Sequence, residues 1–173
     1  MKPLFSRLAV AVLFTMALAG TAEAQTTTGT EVQPQTRVIG GPLAGINVVQ
    51  LSVAPLSDQA KGCGLDSNLI LDSFNQPLLE KGIIAQEAAH IWIQLKATTL
   101  RYEGDICITY IEALALQNTR YFDRKTESER SGRVLLWSDA GMFVTGATNH
   151  GVTTNIGWRD LARSFIRKWE IDQ

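Results

Sequence analysis

The stretch from His90 to Leu116 constrains the fold of this chain more than any other. Ile91, Ile93, Leu95 and Ala97 alternate with Trp92, Gln94, Lys96 and Thr98. A period of two is the signature of a strand with one face turned to a core. Glu103-Gly104-Asp105 is a turn signal, and Ile106 to Leu116 returns as a second strand. The two are expected to pair as an antiparallel hairpin. A hairpin cannot bury its apolar face alone, so the rest of the chain must supply a layer against it.

The flanking segments fit that need. Ile46 to Ala54 reads as a strand, with Val49, Leu51 and Val53 alternating with Gln50 and Ser52 before Pro55 ends it. Asp66 is a natural N-cap for a helix that runs to about Lys81, with Ile70, Leu71, Phe74 and Leu78 as its apolar stripe. Pro77 is expected to bend or restart this helix, and Gly82 to close it. Ile83 to Gln86 fits a short strand, although the pattern up to His90 also admits a helix. Val134 to Ser138 reads as a strand that Gly141 bulges or turns before Met142-Phe143-Val144 continues it. Asp123 to Arg130 is expected to be a solvated charged loop, and Gly146 to Thr154 a polar turn. Thr154 or Asn155 then caps a last helix, in which Trp158, Leu161, Phe165 and Trp169 make one apolar stripe. The order strand, helix, strands, helix predicts an α+β domain. It would have a mixed or antiparallel sheet of four to five strands with two helices on one face.

The segments before this domain carry a different signal. Lys2 and Arg7 precede an apolar run from Leu8 to Ala19, followed by Ala22-Glu23-Ala24. This is the pattern of a cleavable export signal over residues 1–24, and the run falls short of the roughly 20 residues that span a bilayer. No cysteine follows the run, so no lipid attachment point is expected, and the mature chain would begin at Gln25 with no transmembrane span. Residues 25–45, rich in Thr, Gly and Pro, read as an irregular lead-in, with Arg37-Val38-Ile39 able to pair as an edge strand. Residues 46–173 are expected to form a single domain. Its location would be periplasmic or secreted, where the only two cysteines, Cys63 and Cys107, are expected to form a structural disulfide.

Hydrophobic residues make up 45% of the chain, enough for a packed core, and the net charge of −1 gives no basic excess for nucleic acid. The catalytic inventory is thin. His90 and His150 are the two histidines. Glu87-Ala88-Ala89-His90 has the spacing of a carboxylate-bridged metal ligand pair, but only if the segment is helical. No G-x-S-x-G elbow, H-E-x-x-H motif or phosphate loop occurs. Asp105, Glu112 and Asp139 are carboxylates that a fold could bring together, but nothing in their spacing pairs them. No cofactor is expected.

The order of elements resembles small α/β domains of the proteobacterial envelope, over about residues 46–171. Ile46-Asn47-Val48-Val49-Gln50-Leu51 matches their first strand, and Trp158 to Trp169 their closing amphipathic helix. The N-terminal domain of the Tol–Pal propeller protein and small outer-membrane assembly factors are of this type. The resemblance implies a non-catalytic accessory or protein-interaction module with an envelope protein as partner. Arg159, Arg163 and Arg167, on one face of the last helix, would be its interaction surface. Self-association through a strand edge is a further expectation. The alternative is a small enzyme or ligand-binding protein with a pocket formed by Asp139, Asn149 and His150.

Overall fold

The computed structural model describes residues 40–103 and 105–173. The export signal, most of the lead-in and the proposed Arg37–Ile39 strand lie outside these residues. The elements are β1 (Val48–Val53), α1 (Asp58–Gly62), α2 (Ser67–Glu80), β2 (Ile84–Ala85), β3 (Ile91–Tyr102), β4 (Ile106–Asp123), β5 (Ser128–Gly146) and α3 (Ala147–Asp172). The five strands form one mixed sheet in the order β2-β1-β3-β4-β5. β1 runs parallel to both β2 and β3, while β3, β4 and β5 are antiparallel. The chain is an α+β domain with its helices on one face of the sheet, as the order of elements predicts.

The core lies between that face and the helices. Ile93, Leu95, Ile111, Ala113 and Ala115 point into it from the sheet, and Phe74, Leu78, Trp158 and Phe165 meet them from α2 and α3. Each of these nine is fully buried. Trp137 packs edge-to-face on Phe165 at 5.3 Å between ring centres. Asp66 caps α2, its side chain accepting from the amides of Asn68 and Leu69. Cys63, at the end of α1, is bonded to Cys107 near the start of β4. The bridge pins α1 to one end of the sheet.

Several local expectations are corrected. The segment before α2 holds a short extra helix, α1, capped by the Ser57 hydroxyl. The described residues therefore hold three helices where two were expected. Pro77 lies inside α2 without ending it. The residue is buried against the core and only three positions from the helix end, so a single backbone bond is lost. Gly141 does not bulge β5, since it pairs in register with Ile111. The irregularity is at Leu136, squeezed between the pairs Ala115–Trp137 and Leu116–Leu135.

Within the expected charged loop, Arg124 to Glu127 is an exposed turn, and only its flanks are strand. β4 runs on to Asp123 and β5 begins at Ser128, so these two strands extend past the end of β3 as a two-stranded arm. Its tip is tied by the Arg130–Asp123 ion pair at 3.1 Å and by the Lys125 amide bonded to Asp123. Gly146 to Thr154 is not a turn, because α3 starts at Ala147 and runs unbroken for 26 residues. Thr154 and Asn155 are inside this helix and do not cap it. Residues 40–45 are joined to the domain rather than laid loosely over it. Leu43 is fully buried and its amide donates to the Asp172 carboxylate at 3.0 Å.

Candidate functional site

His150 is not a pocket residue. It sits in the first turn of α3, fully buried against the sheet. Its Nε2 is 2.6 Å from the Thr109 hydroxyl and its Nδ1 is 2.7 Å from the Thr145 hydroxyl. Thr109 also shares a hydrogen bond with Thr99 at 2.8 Å. In a neutral ring one nitrogen donates and the other accepts, and two hydroxyls satisfy either tautomer. Burial holds the His150 pKa below its ordinary value, which favours the neutral ring. The next residue explains how close α3 lies: a side chain at Gly151 would meet the Gly64 carbonyl oxygen at 2.2 Å. His150 therefore locks the helix start to β4, β5 and the loop after α1.

The other two pocket candidates do not join it. Asn149 is exposed on the outer side of α3. Asp139 shares the helix-side face of β5 with Thr145, but six residues along the strand, which at about 3.4 Å per residue is roughly 20 Å away. The residues from Glu87 to His90 form bends rather than a helix, so the metal-ligand spacing has no helical turn to act on. Among the described residues no group of three His, Cys, Asp or Glu side chains converges on one point. Asp105, Glu112 and Asp139 belong to different positions of the sheet: Glu112 pairs with Lys96 at 3.7 Å, and Asp105 with Arg101 at 2.5 Å.

Arg159, Arg163 and Arg167 do form one exposed row on α3. The row is bordered by acids. Asp160 bonds Arg163 at 3.1 Å, and Glu170 bonds Lys81 of the neighbouring α2 at 2.7 Å. The face is of mixed sign, the ordinary dress of a soluble helix.

The feature that sequence inspection missed is the other face of the sheet. No helix covers it. The cross-strand register builds rows of side chains there: Tyr102–Ile106, Leu100–Ile108–Val144, and Thr98–Tyr110–Met142. Leu100, Tyr102, Met142 and Val144 are each more than half exposed, and Ile106 and Tyr110 about two-fifths. These six residues lie side by side as one mostly apolar exposed patch, of the kind that marks an interaction surface. The Lys96–Glu112 pair borders the patch on one side and is internally neutral. The signal was present in the alternation itself. Leu100, Tyr102, Ile106, Met142 and Val144 are apolar at positions that the strand period turns away from the core.

No family model matches the chain, and no curated protein matches it. Among solved structures, a protein assigned as a lipoprotein from Caulobacter crescentus CB15 aligns at 12% identity, over 70% of this chain and 86% of that one, with a TM-score of 0.32. A minor lipoprotein from Acinetobacter baumannii aligns at 10% identity over 73% and 91%, also at 0.32. The PelC dodecamer from Paraburkholderia phytofirmans aligns at 13% identity over 75% and 86%, at 0.35. Likenesses of this size carry no argument about function. No described helix is long and apolar enough to cross a membrane.

Proposed function

We propose that this chain is a non-catalytic interaction module of the bacterial envelope, and that it docks on another envelope protein through the open face of its sheet. The observation that carries this reading is the row pattern from Leu100 to Val144. An uncharged, ordered apolar patch on a rigid sheet is the surface of a binding partner's seat rather than of a free monomer. The export pattern of residues 1–24 and the Cys63–Cys107 bridge support an oxidising compartment outside the cytoplasm. The separation of Asp139 and Asn149 from the buried His150 supports this reading over the enzymatic alternative.

A second reading has one observation in its favour. The six patch residues carry no charge, so two copies could stack their open faces without repulsion. Photocrosslinking separates the readings. A crosslinker at Met142 is expected to capture one envelope protein, and a crosslinker at Arg163 none. Leu100→Lys should abolish the Met142 adduct. A Met142 adduct of twice the chain mass would establish the self-stacked form. Adducts at Arg163 alone would overturn both and return the interface to the arginine row.

A further inference from the structure

The opposite edge of the sheet is incompletely closed. β2 is only two residues long and pairs with β1 at Val48 and Val49 alone. The Gln86 amide bonds the Val49 carbonyl at 2.9 Å, and there the pairing stops. In a ladder, every second residue turns its N–H and C=O to the same side, so Leu51 is the next to face outward, with no strand beside it among the described residues.

A cleft of about 300 Å³ opens at this point between β1, α2 and the segment after β2. Leu51 and Leu71 give it an apolar floor, and Asp72, Asn75 and Glu87 its polar wall. No lysine or arginine lines it. The side-chain oxygen of Asn75 is buried there without a hydrogen-bond partner. A buried acceptor left unpaired is unfavourable, so the wall lacks a donor. Both carboxylates point to a donor that is also positive.

The geometry points to a second binding site, separate from the open face: the free edge of β1 takes an extended peptide segment that carries a lysine or arginine. The peptide backbone continues the line of β2 and pairs with Leu51, and its basic side chain enters the cleft toward Asp72, Asn75 and Glu87. Strand addition of this kind draws affinity from backbone bonds and selectivity from the side-chain pocket.

The test is a titration of the isotope-labelled protein, followed by NMR, with a capped Val-Thr-Lys-Thr-Val peptide and its counterpart with glutamate at the centre. The amides of Leu51 and Gln86 should shift saturably, and the lysine peptide should bind about tenfold more tightly. Asp72 and Glu87 are exposed, so the double variant Asp72→Asn, Glu87→Gln should fold as the parent does. It should bring the two peptides within about twofold of each other. Met142→Lys, which disrupts the open face, should leave the titration unchanged, so the two proposals stand or fall separately. Equal affinity for both peptides, shifts centred on β5, or no shift at all would overturn the site.

Discussion

The two faces of the sheet are made by the same strands and differ by one residue of register, yet they behave as different materials. On the helix side Ile93, Leu95, Ile111 and Ala115 are fully buried. On the other side Leu100 is 61% exposed and Met142 68%. Alternation in β3 to β5 thus separates a face that is already covered from one that is still apolar over half its length. Hydrophobicity alone does not tell a core position from a docking position. The layer placed against it does, and here the three described helices lie on one side.

Substitutions can break this contrast, and the largest effect is expected on the covered side. Trp158→Ala and Phe165→Ala each remove a fully buried ring and should cost about 3–5 kcal/mol, read as a shift of the urea midpoint. Removing the bridge with Cys63→Ser and Cys107→Ser should cost about 2–4 kcal/mol. Reductant should then have no further effect on the variant while it destabilises the parent.

Asp172→Ala leaves the Leu43 amide without its acceptor and should cost about 1–3 kcal/mol at neutral pH. Burial pushes the Asp172 pKa up, but the Lys168 hydrogen bond, the Leu43 amide and the Lys168 charge outweigh it and hold the value below 3.8. The stabilisation is therefore full above 3.8 and is lost as pH falls through the lower, folded value. The variant should lose this part of the acid dependence. His150 acts at higher pH. Its folded pKa is depressed below 6.5, so below 6.5 the unfolded chain takes up a proton that the folded chain refuses. Stability should fall as pH drops from 6.5, and His150→Gln should flatten that slope.

The smallest effect on folding sharpens the comparison most. Leu100→Lys and Met142→Lys should change stability by no more than about 0.5 kcal/mol, because neither side chain is packed. The same variants should abolish partner binding. A large loss of stability in either one would show that the open face is part of the core after all.

Much of the fold was legible because the strong signals were local. Asp66 does cap α2, Ile83 to Gln86 does hold a short strand, and β3 begins within one residue of its expected start. The failures have a common cause, in that tertiary contacts overrode weak local preference. Thr148, Asn149, Gly151, Thr153 and Asn155 are poor helix formers, yet α3 includes them because His150 is bonded on both sides and Gly151 lies on Gly64. The charged turn at Arg124 to Glu127 was legible, but the strands that carry it past β3 were not, since they are held by pairing with each other, with Arg133 set over the Trp92 ring at 4.6 Å. The candidate site was the least legible part. The choice of His150 and the arginines followed residue chemistry, whereas the apolar rows exist only through the register between strands.

The clasp between Gly41 and Asp172 has a consequence for the chain as a whole. The Gly41 amide bonds the Asp172 carbonyl at 3.0 Å, and a side chain at Gly41 would collide with the Asp172 carboxylate. The entrance and exit of the domain are thus held together, and the path closes on itself in everything but a peptide bond. Such a path can be reopened elsewhere. A circular permutant joined across residues 41 and 172 by a short linker, with new ends cut at the exposed arm tip between Arg124 and Thr126, should retain the same core and the same two faces.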